Sequence, residues 1–167
     1  MKTSLWAALV TAGLLLSGGA LGEVGDARIL AARDALRSGD RNTLERLAAE
    51  QDGHVLDPYV RYWLLTNKLA RPESPPAAEL AEFLVNEGGS QLAERLRGDW
   101  LRRLAKDGDW TGFAQLYPDL QAPDAELRCH ARTARLMAGD RSVLTEVAAQ
   151  WADLVDSPAA CEPTLRA

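Results

Sequence analysis

No stretch of this 167-residue chain alternates β-branched with polar residues at a period of two, so strands are not expected. There is no run of Lys or Arg, and 24 acidic residues outnumber 19 basic ones for a net charge of −5. Phosphate neutralisation supplies most of the affinity of nucleic-acid binders, so that partner class is excluded. Two Cys and two distant His give no ligand spacing of the zinc type, and no metal or cofactor is expected. A Gly-rich phosphate loop, a Gly-x-Ser-x-Gly elbow and a His-Glu-x-x-His pair are all missing. His54 falls in a loop before Asp57, and His130 falls on a helix beside Cys129. Both fit surface or capping roles better than catalysis, and the carboxylates sit at helix starts or on charged faces. No catalytic residue is assigned.

Long apolar runs are confined to the N-terminus. Lys2 precedes the apolar run from Leu5 to Leu16, Ser17-Gly18-Gly19 breaks it, and Ala20-Leu21-Gly22 places small residues before Glu23. This pattern predicts a cleaved signal peptide over 1–22 and export to the periplasm. A retained anchor is the competing reading, but the run is short for a membrane span. The remaining residues 23–167 are enough for one domain with a real core. Export also gives the two cysteines a meaning. In an oxidising compartment Cys129 and Cys161 are expected to bond to each other.

What is present is helical. Ala, Leu, Arg and Glu dominate, and the apolar residues recur at helical spacing. From Ser90 to Trp110 the positions Leu92, Ala93, Leu96, Trp100, Leu101, Leu104 and Ala105 form one stripe, with Ser90 as N-cap. Gly108 suits a left-handed C-terminal position, and Asp109 caps the next helix. Other helices are predicted over Asp26–Arg37 (Ile29, Leu30, Ala32 and Leu36 inward), Arg41–Glu50 and Ala77–Asn86. One more opens at Asp57-Pro58 with Asp57 as cap, and carries an aromatic stripe of Tyr59, Tyr62, Trp63 and Thr66 read as core. Arg71–Pro76 reads as a loop. A short helix from Trp110 to Tyr117 stops at Pro118, and Pro123 begins another that runs through Leu136. A further one carries Val143, Leu144, Val147, Ala148 and Trp151, and Ser157-Pro158 restarts a last segment with Cys161.

Gly-Asp recurs between helices at 39–40, 108–109 and 139–140. A Gly closing one helix and an Asp opening the next make a short connection and antiparallel neighbours. The expected fold is therefore all-α, an irregular α-solenoid of stacked antiparallel helical hairpins with about eight or nine helices. Arg95, Arg97, Arg102 and Arg103 form a local basic cluster. It reads either as an ion-paired outer face with Glu94 and Asp99 or as a contact for an anionic polymer. Trp100 and Trp110 read as packing between neighbouring helices.

The ordered series Tyr59–Trp63, Phe83-Leu84, Leu92–Ala105, Gly108–Trp110, Leu127–Arg132 and Cys161–Pro163 resembles the N-terminal superhelical region of soluble lytic murein transglycosylases. These are large periplasmic enzymes of Gram-negative bacteria. The resemblance covers most of 23–167 and departs at Glu162, where the family usually has Asp. It implies cleavage of the β-1,4 bond between N-acetylmuramic acid and N-acetylglucosamine, leaving a 1,6-anhydro end. In that family a Glu within a Glu-Ser motif, on a lysozyme-like C-terminal domain, is the acid/base. The Glu-Ser of this chain, Glu73-Ser74, sits in a Pro-rich loop and is not that residue. The implied role of residues 23–167 is a scaffold that supports such a domain and holds peptidoglycan glycan strands near it. In the family, paired cysteines at such positions are bonded. The alternative is a stand-alone periplasmic helical-repeat adaptor for a protein partner.

Overall fold

The structure, a computed structural model, describes residues 18–73, 75–149 and 158–167, with side chains from Val24 onward. Nine α-helices and no strands occur among the described residues. They are α1 (Gly18–Ser38), α2 (Arg41–Ala49), α3 (Asp57–Leu69), α4 (Ala77–Asn86), α5 (Gln91–Asp107), α6 (Trp110–Leu116), α7 (Ala125–Met137), α8 (Ser142–Ala149) and α9 (Glu162–Leu165). The fold is all-α, built from antiparallel helical hairpins stacked in chain order.

The three Gly-Asp corners share one geometry. Gly39, Gly108 and Gly139 have φ of 74°, 76° and 90°, in the left-handed region that a Cβ disfavours. The Asp that follows then serves both helices. The backbone N–H of Asp40, Asp109 and Asp140 donates back to the carbonyls of Ala35, Leu104 and Arg135, closing the finished helix. The carboxylate of each accepts from the opening turn of the next, from Thr43 N at 3.1 Å, Gly112 N at 2.8 Å and Ser142 N at 3.0 Å. Two residues thus supply both caps.

Packing follows a two-row pattern. Helices α1, α3, α5, α7 and α9 each pack on the next odd-numbered helix, making a continuous row. Helix α2 fills the angle between α1 and α3; α4 packs on α3 and α5, α6 on α5 and α7, and α8 on α7 and α9. Three buried clusters mark successive joints. The first joins Ile29, Ala32 and Leu44 to Val60. The second joins Leu65 and Leu69 to Phe83 and Leu96, and the third joins Leu101 and Leu104 to Phe113 and Leu127. Half-buried Trp100 packs against both of the last two, so its ring ties one joint to the next.

The N-terminal leader expected over 1–22 lies outside the described residues except for 18–22, which fall in α1. Several helix boundaries and inward positions differ from expectation. The first helix begins at Gly18 and not at Asp26, which lies within it with its carboxylate held by the His54 ring. Leu30 is exposed, and Ala35 takes the inward position. Asp57 does not cap α3: its two oxygens accept from Gly53 N and from Arg28. Val60, Leu65 and Leu69 are the buried face of that helix, which leaves Tyr62 and Trp63 half-buried on its flanks and Tyr59 exposed. Tyr117–Asp119 continues α6 as a 3-10 turn through Pro118, and α7 starts after Asp124, which caps Leu127 N at 2.9 Å. Trp151 and Ser157 lie outside the described residues.

Candidate functional site

Helix α5 carries the candidate site. At 100° per residue, Arg97, Trp100 and Leu104 fall on roughly the opposite face from Arg95, Gly98, Asp99 and Arg102. A cavity opens on each face.

The first is a polar cleft of about 330 Å³ on the odd-helix row, reached by Tyr62 of α3, Arg95, Asp99 and Arg102 of α5, and Asp124 and Leu127 at the start of α7. Gly98 lies buried beside it; a Cβ there would sit 3.5 Å from Arg102 Nη1 and 3.8 Å from Leu127 Cδ1. Asp99 is half-buried and loosely held. The Tyr62 hydroxyl donates to its Oδ2 at 3.4 Å, and Arg102 Nη1 lies 3.5 Å from its Oδ1. Desolvation raises the Asp99 carboxyl above its ordinary range, against the opposing pull of Arg102, the Tyr62 hydrogen bond and Arg95. Burial, with the nearby Asp99 charge, pushes the Tyr62 hydroxyl up as well. Arg102 is otherwise committed to α7, donating to Glu126 at 2.9 Å and to Asp124. The cleft therefore presents a hydroxyl, an under-bonded carboxylate and the exposed Arg95 side by side. Such a set can hydrogen-bond polar, hydroxyl-rich groups; among the described residues no three His, Cys, Asp or Glu side chains are arranged to hold a metal ion.

The second cavity is an open groove of about 600 Å³ between α4 and α6, floored by Trp100 and Leu104 of α5 and walled by Leu84, Val85 and Leu116. It exists because α4 and α6 both pack on α5 and leave a gap between them.

The basic cluster does not act as one patch. Arg97 pairs with Glu94 at 3.2 Å, and Arg102 reaches Asp99 and α7, as an ion-paired face requires. Arg103 departs from that face. It is buried, donates to Asp107 Oδ2 at 2.6 Å, and turns its guanidinium onto the carbonyls of Leu69 at 2.7 Å, Glu73 at 2.8 Å and also Arg71. Sequence reasoning placed it with the other arginines because it lies off the apolar stripe of Leu92–Ala105.

The two histidines hold structure. His54 Nδ1 accepts from Leu56 N at 3.1 Å, so the neutral ring carries its proton on Nε2 and donates to Asp26 at 2.9 Å. His130 packs among Trp110 and Phe113, with ring centroids at 6.1 and 6.2 Å, and desolvation lowers its pKa. Trp110 packs between α6 and α7, in line with the interhelical role expected of it. Cys129 of α7 and Cys161, which immediately precedes α9, are buried and disulfide-bonded. That bond fits an oxidising compartment. No helix among the described residues is long and apolar enough to cross a membrane.

The pairing of Tyr62 with Asp99 was missed from sequence. The available signal was Gly98, a glycine inside a strong helical pattern, where a missing side chain marks close approach of a neighbour. No family model, curated protein or solved structure matches this chain.

Proposed function

We propose that this chain is the helical scaffold of a periplasmic lytic murein transglycosylase, holding peptidoglycan glycan strands while a lysozyme-like domain elsewhere in the protein performs the cleavage. The observation that carries the reading is a convergence. Tyr62, Arg95, Asp99 and Arg102 all belong to the segments that resemble the family, and they meet in one polar cleft. A glycan offers vicinal hydroxyls and amides, which a carboxylate and a guanidinium bind directly and a Tyr hydroxyl supports. The half-buried Asp99 is costly to keep charged, and groups perturbed in this way cluster at binding sites.

The remaining candidates support a scaffold role rather than chemistry. His54, His130 and Arg103 are each engaged in holding two segments together. The disulfide ties α7 to the segment before α9, reinforcing the stack where its last helices are short.

The test is retention on purified murein sacculi. The full chain, expressed in a Gram-negative host and purified from the periplasm, should co-sediment with sacculi. Asp99→Asn and Tyr62→Phe should each weaken retention severalfold. Release of anhydro-muropeptides by the chain alone would overturn the scaffold reading. Undiminished retention in both variants would remove the cleft from it.

A further inference from the structure

Most of the charged groups around the polar cleft are already committed. Glu94 accepts from Arg97 at 3.2 Å through one oxygen, and through the other from the backbone N–H groups of Gln121 at 2.7 Å and Ala122 at 2.9 Å. Asp124 accepts from Leu127 N at 2.9 Å and from Arg102, whose guanidinium also donates to Glu126. Three groups are left over. Arg95 is exposed at the edge of the cleft and has no hydrogen bond or ion pair among the described residues. Asp99 is held only by the Tyr62 hydroxyl at 3.4 Å and by Arg102 at 3.5 Å, both at the limit of a useful contact. The Tyr62 oxygen, donating to Asp99, still has lone pairs with which to accept.

The spacing of the two free charges limits what can use both. Arg95 and Asp99 stand one turn apart on α5, where Cβ atoms are about 5–6 Å from each other. No ion pair joins them, so both remain open to a third party. Gly98 lies between them on the helix surface and projects no side chain into the space. A carbon that carries both an ammonium and a carboxylate, with one hydrogen bond of roughly 2.8 Å at each end, spans that gap. The sign of the rim points the same way. Glu94, Asp99, Asp124 and Glu126 outnumber Arg95, Arg97 and Arg102 by one, so a ligand that brings an ammonium is favoured over a plain anion.

We infer that the cleft receives a zwitterionic amino-acid head group, with its ammonium on Asp99 beside the Tyr62 hydroxyl and its carboxylate on Arg95. Murein carries such groups where a diamino acid of its stem peptides keeps one end free. The inference rests on the murein reading above and names the part of murein that enters the cleft: the strand is held through its stem. The half-buried Asp99 gains the compensation that Arg102, committed to α7, supplies only at 3.5 Å. A sugar hydroxyl satisfies hydrogen bonds in the cleft but leaves both charges uncompensated.

The probes are meso-diaminopimelate, its N,N′-diacetyl derivative and its diamide, each titrated by calorimetry against the full chain. The parent compound should bind roughly tenfold or more tighter than either derivative, as expected when a charge-assisted pair is lost. Asp99→Asn should abolish the preference over the diacetyl form, and Arg95→Gln the preference over the diamide. Arg95 is exposed, so its replacement tests the contact without disturbing the core. Equal binding of all three compounds, or no binding of meso-diaminopimelate at millimolar concentration, would overturn the inference. Sacculi stripped of their stem peptides by an amidase separate it from the murein reading. Retention should fall severalfold on stripped sacculi. Undiminished retention there would overturn the stem assignment while leaving the murein reading intact, and no retention on intact sacculi would overturn both.

Discussion

Arg103 Nη1 on α5 lies 2.7 Å from the carbonyl oxygen of Leu69, the last residue of α3. The last carbonyls of a helix have no partner within it, and here a buried guanidinium supplies one. The same head group reaches the carbonyls of Arg71 and Glu73, so one side chain clasps the loop that leads to α4 and sets the position of one groove wall.

Arg103→Met should therefore destabilise the chain by about 2–3 kcal/mol, since several buried acceptors lose a charged donor at once. Urea unfolding measures the loss. Amide exchange should rise first at 70–73, and Arg103→Lys should recover only part of the stability because an ammonium cannot span the same fork.

Asp99→Asn should stabilise the protein at neutral pH and weaken its retention on sacculi. The folded-state pKa of Asp99 is raised by desolvation, so its contribution favours folding when protonated and is lost as pH rises through that value. The variant removes this dependence, and its advantage over the parent should vanish as pH falls below the ordinary carboxylate range. Thermal unfolding at neutral and at strongly acidic pH distinguishes the two outcomes.

Acidification should act in the opposite direction at His130. Burial among Trp110 and Phe113 holds its pKa below the ordinary value of 6.5, although Glu126 and Asp124 oppose the shift and Arg102 assists it. The stability this contributes is present above that value and is lost as pH falls through the folded pKa. His130→Gln should flatten the stability profile as pH falls below the ordinary histidine value of 6.5.

Two glycines should respond with opposite signs. Gly108→Ala forces a Cβ into φ of 76° and should cost about 1 kcal/mol. Gly98→Ala keeps right-handed helical geometry with ordinary contacts at 3.5 and 3.8 Å, and should gain up to about 1 kcal/mol while narrowing the polar cleft. Chemical denaturation of both variants tests the pair.

Reducing the Cys129–Cys161 bond, or replacing both residues by Ser, should cost about 3–4 kcal/mol on the chain-entropy model for a loop of this length. The loss should appear in the denaturation midpoint.

The helices and their corners were legible because their causes are local. The Leu92–Ala105 stripe repeats every turn, and Gly39-Asp40, Gly108-Asp109 and Gly139-Asp140 contain both caps within adjacent residues. Asp57 misled for the converse reason. It stands where a cap belongs, but Arg28, distant in sequence, captures its carboxylate.

Sequence alone determined that the chain is helical, where most helices turn, and which residues seal the turns, since a 3.6-residue period and a capping carboxylate act within a few positions. Only the tertiary structure decided that Arg103 is inside while Arg95 is outside, that Tyr62 meets Asp99, and that a gap remains over Trp100. Those outcomes depend on contacts between residues some 30 or more positions apart and on how α3, α4, α6 and α7 seat against α5. The buried Arg103 charge is compensated in large part by carbonyls that a distant segment presents, which no pattern within one helix can specify.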